Sequence, residues 1–302
     1  MESNEKTFTS ETNFHLAGII PVAGRRLNYD LPFPDVMLPI AKDYTLLESA
    51  IVECAYAGCD TIWIICNDDT APLLRYRIGD MIEDPSYYFY NTSKNKDHRK
   101  RIPIFWVPQH PKDRDKRDCL AWSVVYGSLV AFQTSSNISK WVIPDKYYVS
   151  FPFGVTDPQE VMSIRRTYKT KKNYYMVSEG RKVEDNIHTS FTFGKDEFLV
   201  YRRNVRKGTG RVKKLTIEGD EFIREDLPIE ERWSARFFEL KDVFRGISTD
   251  NANLLNVKEF YDVSTWDGYL NLMSSDFAKN ISRPPREMFK YKEFNRVAID
   301  RD

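Results

Sequence analysis

The feature that most constrains the fold of this chain is a strand, loop, helix and strand passage near its start. Residues 16–22, LAGIIPV, are apolar and partly β-branched, which suits a short strand buried on both faces of a parallel sheet. After a Pro-rich loop, Thr45-Leu-Leu-Glu48 has the spacing of a capping box, in which each side chain satisfies a free backbone N–H at a helix start. Leu47, Ala50, Ile51 and Cys54 then recur at helical spacing, and Gly58 stands where that helix should stop. TIWIIC at 61–66 predicts a second buried strand. Such a unit closes right-handed onto a parallel sheet.

The alternation continues with a helix predicted near 70–82, a strand at 102–107, a helix from about Asp118 to Phe132 and a strand at 140–144. From residue 173 onward the runs YYMVS, HTSFTF, FLVYRR and RVKKLTIEG are shorter and alternate, which predicts antiparallel strands. The expected class is α/β, with a mixed sheet that is mostly parallel in its N-terminal half and flanked by helices. The expected organisation is an N-terminal extension over 1–15, one domain over 16–280 and a tail over 281–302.

A chain of 302 residues can bury a sizeable core. Its mean hydropathy of -0.53, the lack of any apolar run near 18 residues and the polar start MESNEKTFTSETN predict a soluble, cytoplasmic protein with no membrane partner. The cysteines Cys54, Cys59, Cys66 and Cys119 form no CxxC pair and favour a reducing compartment. His15, His98, His110 and His188 show no HxxxH spacing, which argues against zinc. Basic residues bunch at 93–101, 112–117, 165–172 and 202–214, but acidic residues interrupt several of these bunches. They read as solvated loops ahead of a nucleic-acid stripe, with nucleic acid kept as the less favoured partner and a homo-oligomer left open.

In open α/β sheets, ligands bind beyond the carboxyl ends of the strands. The loop after 22 carries Ala23, Gly24, Arg25 and Arg26, whose backbone N–H and guanidinium groups suit a polyphosphate. Beyond the strand at 102–107 stands Gln109, whose amide offers both a donor and an acceptor to a base edge. Asp145 follows the run at 140–144, and Asp262 precedes a helix expected to begin near Ser264 or Thr265. A carboxylate at a strand end suits magnesium on phosphate oxygens.

The order of apolar strand, Ala-Gly, Arg-Leu, Pro-rich turn, MLPI, capped helix and buried strand resembles the sugar-1-phosphate nucleotidyltransferases, whose signature is GxGTRxxPxTxxxPK. WVIPDKYY is similar to their strand ending in Gly-Asp, YDVSTWDGYL to their second metal-binding segment, and PQHPKDRDKRDCLAW to the stretch that reads the base. The altered first loop also resembles that of nucleotidyltransferase-like proteins of large tailed bacteriophages, which would place the chain in a host cytoplasm. The resemblance implies a GT-A-like, Rossmann-type fold and transfer of a nucleoside monophosphate from a nucleoside triphosphate to a sugar phosphate, with release of pyrophosphate. It implies Arg25 and Arg26 as the catalytic phosphate contacts, Ala23, Gly24, Gln109 and Leu120 as nucleotide-binding residues, and Asp145 and Asp262 as ligands of Mg2+.

The departures are specific. The second Gly and the Thr of the signature are absent, its Pro-Lys is Pro34-Asp35, and the later Glu-Lys-Pro corresponds to Glu218-Gly219-Asp220, leaving Lys213 or Lys214 as substitutes at the sugar phosphate. A charge-assisted bond contributes about 1.5–3 kcal/mol, so losing two cations slows an unmodified mechanism by orders of magnitude. Two alternatives therefore stand beside the nucleotidyltransferase: a GT-A-type glycosyltransferase using a nucleotide-sugar, with nucleic acid as one acceptor, and a non-catalytic member of the fold.

Overall fold

The computed structural model describes residues 14–24, 29, 31–85, 100–114, 117–208, 212–216, 222–226, 228, 238–245 and 252–284. Its strands are β1 Leu16–Pro21, β2 Pro39–Ala41, β3 Tyr44–Thr45, β4 Thr61–Cys66, β5 Met81–Glu83, β6 Arg101–Pro108, β7 Lys146–Val149, β8 Gly154–Thr156, β9 Tyr174–Val177, β10 Phe191–Phe193, β11 Val212–Thr216, β12 Phe222–Asp226, β13 Asn253–Asn256 and β14 Phe260–Asp262. The helices are α1 Leu46–Ala57, α2 Ala71–Ile78, α3 Pro111–Arg114, α4 Leu120–Ile138, α5 Pro158–Ser163, α6 Arg165–Tyr168, α7 Lys195–Gly208, α8 Leu240–Phe244, α9 Trp266–Ser274 and α10 Asp276–Asn280.

The central sheet has the order β13-β9-β10-β7-β1-β4-β6-β5. Strands β6, β4, β1 and β7 are mutually parallel, β5 and β10 run antiparallel to their neighbours β6 and β7, and β13 lies parallel to β9. β1 is buried along its whole length because side chains alternate across a strand and both faces are covered. Leu16 and Ile20 join the cluster built on α1, whereas Ala17 and Ile19 join the one built on α4. The capping box of α1 forms as the sequence predicts: the Thr45 hydroxyl accepts from Glu48 N, and Glu48 Oε2 accepts from Thr45 N at 3.0 Å. Gly58 ends the helix at φ 86°, a left-handed conformation that favours glycine.

Two predicted strands are corrected. Residues 140–144 are not a strand: Lys140–Val142 is a 3-10 turn, and the buried strand is β7, which begins two residues after Pro144. The sequence hides this because β7 opens on a lysine. The Lys146 amine donates to the carbonyls of Tyr168, Thr170 and Lys172, so a cation occupies a buried strand position with its donors satisfied. The run FLVYRR lies in helix α7 rather than in a strand, with Phe198, Tyr201 and Val205 turned to the core at helical spacing. Among the described residues, no helix is long and apolar enough to cross a membrane.

Candidate functional site

The carboxyl ends of β1, β4 and β6 form one edge. Val22 N and Ala23 N both donate to Ile65 O, at 2.8 and 2.7 Å, and Gln109 N donates to Cys66 O at 2.9 Å. The Ser123 hydroxyl on α4 donates to Ala23 O. Gly24 has φ +149°, and a Cβ placed there would lie 2.9 Å from Leu120 N, so its backbone lies against the start of α4. Only glycine allows both that conformation and that approach. The structure thus brings Ala23, Gly24, Gln109 and Leu120 to one edge of the sheet, beside the N-terminus of a 19-residue helix. Arg25 and Arg26 lie outside the described residues.

Gln109 is 0 % exposed, yet among the described residues neither its Oε1 nor its Nε2 has a hydrogen-bond partner, and Asn67 Oδ1, just past β4, is likewise buried and unpartnered. Each such group costs about 1–3 kcal/mol when left unsatisfied. A carboxamide kept in that state is complementary to a ligand that supplies both a donor and an acceptor.

Within the basic bunch after Gln109, Pro111–Arg114 form α3, and Arg117 N donates to Asp113 O at 2.7 Å. The Arg114 guanidinium pairs with Asp68 at 3.5 Å, and that of Arg117 lies 4.5 Å from the ring centroid of Trp122, the third residue of α4. Sequence reading missed both arginines. Their spacing of three in the sequence was the available signal.

Asp262, at the end of β14, lies on the same side of the molecule as the end of β7, since β14 pairs with β8 in the register Asp262↔Gly154. Tyr29, in the loop after β1, donates its hydroxyl to Val263 O and so ties that loop to this element. Both oxygens of Asp262 accept from His188: Oδ2 from the backbone N at 3.1 Å and from Nδ1 at 3.0 Å, and Oδ1 from Nδ1 at 3.1 Å. Oδ1 also accepts from Ser264 N at 3.0 Å. Burial alone would raise the Asp262 pKa, but the bonds from His188 and Ser264 outweigh it and hold the carboxyl at about 2. Thr265, not Asp262, caps α9. Burial, reinforced by the carboxylates of Asp35 and Asp262, pushes the Tyr29 phenol above its usual range. No histidine spacing announces the His188–Asp262 pair, because it closes between two distant segments.

Asp145 is not at this edge. It precedes β7 and accepts from His15 N at 2.7 Å, while its own N donates to His15 O at 2.9 Å. Because β1 and β7 are parallel with Leu16 opposite Lys146, His15 and Asp145 occupy the amino end of the sheet. Asp145 and Asp262 therefore lie beyond opposite ends of β7 and do not share one metal. Past the carboxyl end of β7 stand Ser150 and Phe151, and the nearby Glu53 carboxyl is fully buried beneath hydroxyls of Tyr148, Ser150 and Ser190. Burial raises the Glu53 pKa against those three bonds. Among the described residues, no group of three or more His, Cys, Asp and Glu is arranged around a common metal position. The donors present fit a magnesium ion held by one carboxylate, Asp262, and by substrate phosphates, which is within the ordinary coordination of that ion.

Lys213 and Lys214 fall on β11, which among the described residues pairs with β12 in a two-stranded ribbon separate from the central sheet. A cavity of about 600 Å³ lies against α1, β8 and α10, and one of about 1070 Å³ lies at the amino end of β1 and β4; neither is lined by the predicted site residues. All four cysteines are buried and free.

No family model and no curated protein sequence matches the chain. A solved structure of a candidate glucose-1-phosphate thymidylyltransferase from Bacillus anthracis, in complex with a sucrose, superposes with a TM-score of 0.54 at 11 % identity, covering 90 % of this chain and 98 % of that one. A UDP-glucose pyrophosphorylase complexed with UDP-glucose aligns over 88 % of this chain and 100 % of its own at 14 % identity, and one from Acinetobacter baumanii over 96 % and 100 % at 13 %. Both give a TM-score of 0.48, below the level at which a shared fold follows. At 11 % identity the likeness to the first structure carries architecture and not chemistry. In its order of strands and helices around a large, mostly parallel sheet, the chain shares the fold of that first structure.

Proposed function

We propose that this protein is a divergent nucleotidyltransferase that binds a nucleoside triphosphate at the carboxyl edge of β1, β4 and β6 and transfers its nucleoside monophosphate to a sugar phosphate or a related phosphate. The observation that carries the reading is Gln109: a fully buried carboxamide with both polar atoms unpartnered among the described residues, at the edge where Gly24 meets the start of α4. Gln109 reads the base edge. The Ala23-Gly24 backbone and the first turn of α4 at Leu120 flank the nucleotide, and Arg25 and Arg26 contact its phosphates.

An oxygen of the acceptor phosphate attacks the α-phosphorus in line, a new P–O bond forms, and the bond to the β-phosphate breaks with pyrophosphate as the leaving group. The protein mainly positions the two partners and neutralises charge on the transferring group. Magnesium, when bound to the substrate phosphates, supplies further charge neutralisation. Asp262, held ionised by His188 and Ser264, is its single proposed protein ligand. The Asp145 position does not enter this proposal.

The test is Gln109→Leu. Replacing an unpartnered buried carboxamide by an apolar group of similar size should raise the stability of the ligand-free protein by about 1 kcal/mol or more. The same change should abolish discrimination among ATP, GTP, CTP, UTP and dTTP in calorimetric binding. A destabilised variant that still discriminates would refute the base-reading role. Pyrophosphate release from the bound triphosphate with a panel of sugar 1-phosphates would then identify the acceptor.

A further inference from the structure

The resemblance expects a lysine where this chain has Asp35, so positive charge for a triphosphate has to come from elsewhere. We infer that Arg114, at the end of α3, and Arg117, ahead of α4, form a clamp for the polyphosphate of a bound nucleoside di- or triphosphate. This rests on the nucleotide-binding reading of the same edge.

Arg114 ends α3, Arg117 lies three residues on, and Arg117 N donates to Asp113 O at 2.7 Å, which holds Arg117 against that helix. Each is tied down by a single long ion pair, Arg114 to Asp68 at 3.5 Å and Arg117 to Asp113 at 3.4 Å. Among the described residues, Arg114 Nε and Arg117 Nε are buried without a hydrogen-bond partner, and Arg114 Nη2, which faces Asp68, makes only that long pair. Guanidinium groups that face only carboxylates needed for structure normally make paired, short contacts, and here they do not. Asp68 lies two residues beyond β4, to whose last carbonyl Gln109 is bonded, and Trp122, beneath Arg117, is in the first turn of α4 against which Gly24 lies. Trp122 Nε1 is also buried and unpartnered. A phosphate chain accepts from all of these donors at once. The carboxamide of Gln109, buried and unpartnered among the described residues, is an independent sign that a ligand completes the edge beyond β4.

The experiment is titration calorimetry of the full chain with ATP, GTP, CTP, UTP and dTTP and the matching monophosphates, on the wild type and on Arg114→Gln, Arg117→Gln and the double variant. The triphosphate-over-monophosphate preference should fall roughly 10-fold or more for each single change and further for the double, because each charge-assisted bond lost to a phosphate has that weight. Monophosphate affinity should stay within about twofold, as expected when only the outer phosphates lose a contact. Variants that keep the full preference overturn the clamp while leaving the nucleotide site standing, since the wild type still binds. A wild type that binds none of these nucleotides overturns both readings. If a glutamine variant does not fold, Arg114→Lys and Arg117→Lys carry the test: they retain charge but not the planar fork, so an intermediate loss supports the clamp and an unchanged preference overturns it.

Discussion

Asp262 and His188 show how one side-chain pair couples the site to stability. The folded pKa of Asp262, about 2, lies below the unfolded value of about 3.9, so the folded state favours the ionised form. The stabilisation is therefore present above pH 4 and is lost as the pH falls towards 2. Asp262→Asn is expected to cost about 2.6 kcal/mol at pH 7, since roughly two pKa units at about 1.4 kcal/mol each are involved, and the difference from the wild type should shrink below pH 4. Urea midpoints across pH 2.5–7 check this, and a cost independent of pH would assign the effect to packing instead. Gln109 works the other way. Its lack of partners makes it a defect in the free protein and a contact in the complex, and the sequence showed only that a glutamine stood after a strand. Burial and the absence of partners are tertiary facts.

At the scale of elements, α4 crosses the sheet through a glycine. A Cβ on Gly127 would lie 2.6 Å from Ile65 Cγ1 and 3.4 Å from Ile19 Cγ2, both on fully buried side chains. Helix propensity alone would make Gly127→Ala stabilising by about 1 kcal/mol. Overpacking of this contact should reverse the sign and cost about 1–3 kcal/mol. A thermal midpoint for G127A above that of the wild type would show that the helix lifts off the sheet without penalty. Local signals were legible where they act over a few residues: Thr45, Glu48 and Gly58 bounded α1 because capping is settled within a turn. They failed where a distant partner changes what a residue tolerates. Lys146 can open a buried strand only because the carbonyls of 168, 170 and 172 surround its amine. FLVYRR reads as an alternating strand or as one face of a helix, and the aromatic cluster of Phe193, Tyr201 and Phe244 selects the helix.

For the whole molecule, parallel strands give the sheet two chemically distinct ends, and the predicted residues divide between them. Asp145→Asn, at the amino end, should leave the thermal shift produced by a saturating triphosphate with magnesium unchanged. Asp262→Asn, on the side of the carboxyl end, should reduce it. A ligand at a hundred times its dissociation constant adds about 2.7 kcal/mol, which corresponds to several degrees for a domain of this size. Equal losses in both variants would contradict the assignment of the two aspartates to opposite ends. By itself the sequence determined the strand and helix alternation, the parallel start of the sheet and the placing of Gly24 and Gln109 beyond strand ends, because hydrophobic period and capping are local and strand ends follow from them. Only the tertiary structure decided which end of β7 Asp145 occupies, that Asp262 is held by His188, and that Arg117 lies over the ring of Trp122. Strand register, burial and partners between distant segments are set by how the layers close on one another.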